Sequence, residues 1–125
     1  MAAIRLLVVE DELKALHIIR RGLSTYGYDV TAVSRAGEAI DIAPTFQPHA
    51  LLTDWLLAGE ANGLDVARDL RKHNPELALI FFSGLRLDDL RHAADHLQPC
   101  TFIQKPCSFQ QLDAALKAAL GDIKA

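Results

Sequence analysis

Cysteine is scarce in this chain: Cys100 and Cys107 are the only two, and they flank a short apolar stretch that reads as a strand. A strand of that length holds its ends about 20 Å apart, far beyond the about 7 Å over which two Cα atoms can be bridged by a disulfide. Two reduced thiols, as in a cytosolic protein, are the expectation. Long hydrophobic runs are missing too. Although half the residues are hydrophobic, no run approaches the about 20 needed to cross a bilayer, and the N-terminus has no signal-peptide pattern. A cytoplasmic protein without membrane contact is expected. The charge of −3 is spread through the chain, and no basic stripe could neutralise a row of phosphates, which argues against direct nucleic-acid binding. There is no repeat, linker or low-complexity segment. At 125 residues the chain has the size of one domain, able to bury roughly two thirds of its unfolded surface without a metal or disulfide staple.

What is present is an alternation. Ile4 to Val9 is an apolar run ending in Glu10, Asp11 and Glu12, which reads as a buried strand and a polar loop. Leu16, Ile19, Leu23 and Tyr26 then recur at helical spacing, with Gly27 where a helix end commonly takes a left-handed residue. The pattern repeats with a strand over Asp29 to Val33 and a helical stripe of Ala36, Ala39, Ile40 and Ala43. A strand over Ala50 to Thr53 then ends at Asp54, with Pro44 and Pro48 expected to punctuate the connection. Asn62 can cap a helix reaching His73 and stopped near Pro75, before a strand over Leu77 to Phe82 that Ser83 and Gly84 end. A weaker helix is expected around Leu87 to Leu97, then a strand over Thr101 to Gln104. Ser108 with Gln111 forms a capping box for a last helix with the stripe Leu112, Ala115, Leu116, Ala119 and Leu120. Five apolar strands alternating with five helices imply an α/β fold, a parallel sheet covered on both faces.

In such a sheet, ligands sit beyond the carboxyl ends of the strands, where strand order reverses. The polar residues expected at that edge are Glu10, Asp11 and Glu12, Asp54, Ser83 and Lys105. Carboxylates a few ångströms apart repel by up to about 4 kcal/mol per pair at an effective dielectric of 20, so such a group calls for a cation or a raised pKa. Mg²⁺, which prefers oxygen ligands and retains waters, meets that need.

The segments VVEDE, LLTDW, FFSG and FIQKP at the ends of the first, third, fourth and fifth strands resemble the receiver domains of bacterial two-component response regulators. The resemblance runs over essentially the whole chain, with the motifs in order. It implies a flavodoxin-like doubly wound (βα)5 fold of strand order 2-1-3-4-5, which alternation alone does not establish. It also implies a signalling phospho-acceptor that promotes its own phosphorylation and dephosphorylation, as distinct from an enzyme with an outside substrate. Asp54 would take the phosphoryl group from a histidine kinase or histidine phosphotransfer protein. Asp11 and Asp54 would bind Mg²⁺ directly, Glu10 mostly through water, and the backbone carbonyl of Leu56 would complete the set. Lys105 would stabilise the phosphoryl oxygens, followed by a cis peptide bond to Pro106. Ser83 and Phe102 would form the switch, reporting to a downstream protein through the face of the fourth helix, fifth strand and fifth helix. Leu56 and Leu85, each two places beyond a site residue, would flank the approach of water and slow hydrolysis; the alternative is that the longer loop after Asp54 points Leu56 away from the site and makes its identity irrelevant.

Plainer readings stand beside these. Glu10 to Glu12 alone reads as a solvated acidic turn or first-turn helix charge, Asp54 as a loop or cap residue, Ser83 as a cap, Phe102 as a core residue and Lys105 as a surface charge. Four strand ends matched at once favour the site. His92 and His96 stand four apart and could share a helix face, but no Glu follows His92 and no cysteine pair is near, so they read as surface residues, and the scattered His17, His49 and His73 as structural or exposed ones. The loop after Asp54 departs from the family: it keeps Asn62-Gly63, lacks the common proline and is about one residue longer. The rival reading is a pseudo-receiver, a binding module that is never phosphorylated; the retained acids and Lys105 weigh against it. A flavin phosphate would be repelled by three acids after the first strand, and a Mg²⁺-dependent phosphatase would want a second acid close after Asp54. The chain reads as a single receiver domain over 1–125, leaving the output to another protein or to a domain absent from this chain.

Overall fold

In the computed structural model the described residues are 3–55, 57, 62–84 and 91–121. Five strands form one sheet: β1 (Arg5–Val9), β2 (Asp29–Val33), β3 (Ala50–Asp54), β4 (Ala78–Ser83) and β5 (Thr101–Gln104). Among the described residues, the longer helices that connect and cover them are α1 (Leu13–Thr25), α2 (Ala36–Phe46), α3 (Gly63–His73) and α4 (Phe109–Ala119). All pairings are parallel in the order β2-β1-β3-β4-β5, the flavodoxin-like order that the resemblance implied.

The strand sequences explain why both faces are covered. Side chains alternate across a strand, and here both alternating sets are apolar. Leu6, Val8, Leu52, Ile80 and Phe82 pack with Leu16, Ile19 and Leu23 of α1 and Leu112 and Leu116 of α4. Leu7, Val9, Leu51, Leu79 and Phe81 pack with Ala39 of α2 and Leu64, Ala67 and Leu70 of α3. Each such Leu, Ile or Phe stabilises the fold by about 1.5–3 kcal/mol relative to an exposed position. A slip of one residue would exchange the two faces, so the register is strongly specified.

The ends of the elements follow local chemistry. Asn62 and Asp65 form a reciprocal capping box at α3, and Ser108 and Gln111 form one at α4, as the sequence predicts for the second. Gly27 takes φ 95°, the left-handed conformation expected after α1. Tyr26, expected on the buried stripe of α1, is instead its exposed C-cap. Pro44 also departs from expectation, lying within the last turn of α2 rather than in the connection. At that place its missing N–H forfeits one bond near the helix end, while Ala43 and Phe46 pack on the core. Gln47, at φ 52°, then closes the helix by donating its N–H to the Ala43 carbonyl, 2.8 Å away. The start of the helix expected over Leu87 to Leu97 lies outside the described residues; residues 91–93 are helical and Asp95–Leu97 is a 3-10 turn.

One buried polar chain ties α4 to the start of β2. The Tyr28 hydroxyl donates to Asp113 Oδ1 at 2.7 Å, and Lys117 Nζ reaches Asp113 Oδ2 at 2.9 Å. Burial, reinforced by the Asp113 carboxylate, pushes the Tyr28 phenol well above its ordinary range. Tyr28→Phe removes the donor to a buried carboxylate and is expected to cost about 1.5–3 kcal/mol, read as a lower urea midpoint. A midpoint unchanged within error would mean that Asp113 loses nothing with the phenol.

Candidate functional site

Register brings the functional candidates to one edge. Val9 pairs with Val33 and Thr53, Asp54 with Phe82, and Ser83 with Gln104, so these strands end at nearly one level. The ladder runs one step further. Glu10 N donates to Val33 O at 3.1 Å, Trp55 N to Phe82 O at 3.3 Å and Lys105 N to Ser83 O at 2.8 Å. Because β1 has β2 on one side and β3 on the other, the crevice beyond β1 and β3 lies where strand order reverses.

Glu10, Asp11 and Asp54 meet there, each offering a carboxylate oxygen within 4.8 Å of the others. Their burial is graded: Glu10 is buried, Asp54 half-buried and Asp11 exposed. Glu12, the third acid of the run, turns away and caps α1, accepting from Lys14 N at 3.2 Å and Ala15 N at 2.8 Å. Lys105 reaches across from the end of β5. Its Nζ lies 2.9 Å from Asp54 Oδ2 and 3.3 Å from Glu10 Oε1, and 4.5 Å above the centre of the Phe82 ring. Its peptide bond to Pro106 is cis, as the resemblance implied, and Gln98-Pro99 is a second cis bond.

The electrostatics follow from that crowding. Burial first, and then the neighbouring Asp54, raise the Glu10 carboxyl to about 7, against the lowering pull of Lys105. Burial alone would lower the Lys105 ammonium, but the carboxylates of Asp54 and Glu10 outweigh it and hold the pKa above its ordinary value. Glu10 Oε2 is buried and has no hydrogen-bond partner among the described residues. An orphaned carboxylate oxygen beside two further carboxylates is a donor set that suits a hard divalent cation such as Mg²⁺.

A pH dependence follows with a definite sign. Because the folded pKa of Glu10, about 7, exceeds the ordinary 4.5, the folded chain binds the proton more tightly than the unfolded chain. Its contribution to stability is present below about pH 4.5 and is lost as pH rises through about 7. Without metal, the urea midpoint should fall between pH 5 and pH 8, by an amount worth on the order of a few kcal/mol. Glu10→Gln should flatten that slope. A slope unchanged in the variant would assign the effect to another group.

Gly63 supplies a contact that sequence alone concealed. A Cβ there would collide with the Asp54 backbone carbonyl, so any other residue would displace the strand end bearing Asp54. The Asn62-Gly63 pair was the available signal, and the close approach is its cause. Thr53 is the second such residue: fully buried, it donates through Oγ1 to the Asp54 carbonyl at 2.9 Å. Its signal was a lone hydroxyl in the apolar run LLTD. Ser83 is buried at the end of β4. Phe102 is buried beside Phe81, with ring centres 5.4 Å apart, and Trp55 at 6.3 Å. Leu56 and Leu85 lie outside the described residues.

The remaining candidates are scattered. His49 Nδ1 accepts from Arg5 N at 2.9 Å, and burial with the nearby Arg5 charge lowers its pKa. His96 Nε2 accepts from Arg68 at 2.9 Å, and His73 pairs with the Asp69 carbonyl at 3.1 Å. Among the described residues the one cluster of potential metal ligands is Glu10, Asp11 and Asp54. Cys100 and Cys107 are both free thiols. No helix among the described residues is long and apolar enough to cross a membrane.

The family model for the response regulator receiver domain matches residues 6–117, and the chain belongs to that family. Response regulator MprA of Mycobacterium bovis is 29% identical over 118 residues, which cover 94% of this chain and 51% of that protein. The chain thus spans about half the length of the curated relatives it matches. A crystal structure of a response regulator receiver protein from Sinorhizobium medicae superposes with a TM-score of 0.86 at 27% identity, covering 95% of each chain. A receiver domain from Clostridium thermocellum gives 0.88 at 25% identity, covering 97% of each. Receiver domains belong to two-component phosphorelay signalling, and the acidic cluster fits the aspartyl phosphate and Mg²⁺ site of the family.

Proposed function

We propose that this chain accepts a phosphoryl group on Asp54, in the cytoplasm, from a histidine kinase or a histidine phosphotransfer protein, in a Mg²⁺-dependent reaction. The observation that carries the reading is the Lys105 ammonium 2.9 Å from Asp54 Oδ2 at the edge where Glu10 and Asp11 converge. A carboxylate oxygen of Asp54 attacks phosphorus in line, the bond from phosphorus to the donor imidazole nitrogen breaks, and the imidazole leaves with its electron pair. Lys105 then meets the charge on the transferred oxygens. Glu10, Asp11, Asp54 and the Leu56 carbonyl would hold Mg²⁺, which when bound neutralises the acids and the phosphoryl oxygens. The chain is a signalling phospho-acceptor that promotes its own labelling and its own hydrolysis, and it turns over no outside substrate.

The buried Ser83 hydroxyl and the Phe102 ring form the switch. Its readout passes to a downstream protein across the face formed by residues 91–97, β5 and α4, as a population shift driven by the new contacts. The whole stretch 1–125 acts as one receiver domain. Incubation with acetyl phosphate and Mg²⁺, followed by intact-mass measurement, should show one added phosphoryl group, and EDTA should prevent it. No mass gain in Mg²⁺ would leave the chain as a binding module that keeps the fold alone.

Two leucines set the lifetime of the label. Leucine has neither donor nor acceptor, so Leu56 and Leu85 cannot orient an attacking water. Leu56→Asn combined with Leu85→Glu should therefore lose the phosphoryl group faster in Mg²⁺ than the parent. Equal or slower decay would show that these side chains do not control water.

A further inference from the structure

Phe102 is enclosed from two sides. On the inner side its ring stacks on Phe81 at an interplanar angle of 27° and leans on Trp55, which itself meets Phe81 edge-on with centres 5.2 Å apart. On the outer side the Arg91 guanidinium lies 5.3 Å from the centre of the Phe102 ring. Arg91 is solvent-exposed, whereas Phe102 is only 7% exposed. The cation thus closes over a ring whose aromatic neighbours among the described residues are Phe81 and Trp55 of the core.

The position of that closure matters because of what the inner aromatics adjoin. Trp55 follows Asp54 directly, donates its N–H to the Phe82 carbonyl and accepts from Gly63 N at 2.9 Å. Its ring therefore belongs to the backbone segment that carries Asp54. Phe102, at the far edge strand, belongs to the surface proposed to meet a partner. A guanidinium over an aromatic face is attracted by the ring quadrupole, and at an exposed site the attraction corresponds to about a two- to fivefold bias between two ring positions.

We infer that Arg91 is a positioning residue, clamping the Phe102 ring against Phe81 and Trp55 in the unphosphorylated chain. This deepens the proposed function, resting on the reading of Phe102 as the aromatic half of the switch. The ring is then already in the buried place before a phosphoryl group arrives, and the clamp sets how much of the switch is left for phosphorylation to move.

Fluorine NMR of the full chain, with 4-fluorophenylalanine at its five phenylalanines, tests the inference without any phosphoryl donor. The Phe102 signal is assigned by its loss in Phe102→Leu. In Arg91→Ala that signal should move toward the free amino acid, with the outward fraction raised about two- to fivefold, while the Phe46 and Phe109 signals hold still. Arg91→Lys, which keeps the charge, should recover part of the shift. An unmoved Phe102 signal in Arg91→Ala overturns the inference, as does an equal movement of Phe46 and Phe109, which would signify general loosening. A chain that failed to label at Asp54 would still give this reading, so the two failures are distinguishable.

Discussion

Asp54→Asn is expected to take up no phosphoryl group from acetyl phosphate in Mg²⁺, under conditions in which the parent chain gains one. The amide keeps the shape of the side chain but removes the negative oxygen that must attack phosphorus, and no geometric adjustment restores it. The neighbouring acids are poor substitutes. Glu10 is buried, so its carboxylate is poorly exposed to an incoming phosphoryl donor. Asp11 is exposed, and the Lys105 ion pairs involve Asp54 and Glu10 only among the described residues. Folding of the variant is checked by its urea transition, and the loss of label should be complete. Labelling at the parental rate would remove Asp54 from the chemistry.

The second large effect is expected at Lys105. Lys105→Met keeps most of the stem and removes the one cation that contacts Asp54 among the described residues. Preorganised charge aimed at developing charge in a partly buried site is commonly worth about 100-fold or more in rate. Labelling by acetyl phosphate should slow by about that factor. Metal affinity should move the other way. The Lys105 ammonium competes for carboxylate oxygens of Asp54 and Glu10 at 2.9 Å and 3.3 Å, so its removal leaves them free for a divalent cation. A Mg²⁺ titration followed by the fluorescence of Trp55, the only tryptophan, should show binding at least as tight as in the parent. A folded variant that bound no Mg²⁺ would give Lys105 a different role.

Much of this site was legible because it sits at strand ends, and strand ends are marked locally. An apolar run that stops at an acid, as VVEDE and LLTDW do, locates both the end of burial and the polar group beyond it. The capping pair Ser108 and Gln111 was likewise readable, since its reach is three residues. Strand order was different in kind. Five alternating units permit several orders, and only the resemblance to the receiver family selected 2-1-3-4-5.

What escaped was set by contacts across the fold. Pro44 reads as a breaker, yet core packing of the last turn of α2 outweighs one lost hydrogen bond. The resemblance gave Glu12 no role beside Glu10 and Asp11, and its cap contacts with Lys14 and Ala15 follow from the direction of α1. Arg71 bonds the carbonyls of Leu77, Leu97 and Pro99 at 2.7–3.1 Å, and nothing in the sequence around it announces those partners. Tyr28 and Asp113 are 85 positions apart. The Arg91 clamp on Phe102 belongs with these: each depends on two segments whose mutual placement only the folded sheet determines.

The most direct measurement of the central claim locates the phosphoryl group itself. After labelling with acetyl phosphate and Mg²⁺, borohydride reduces an aspartyl phosphate to homoserine, and tandem mass spectrometry of the digested chain reads the position. The account predicts homoserine at position 54 and at no other acid. Homoserine at position 11, or a phosphoryl mass that survives borohydride and maps to a serine, threonine or histidine, would contradict it.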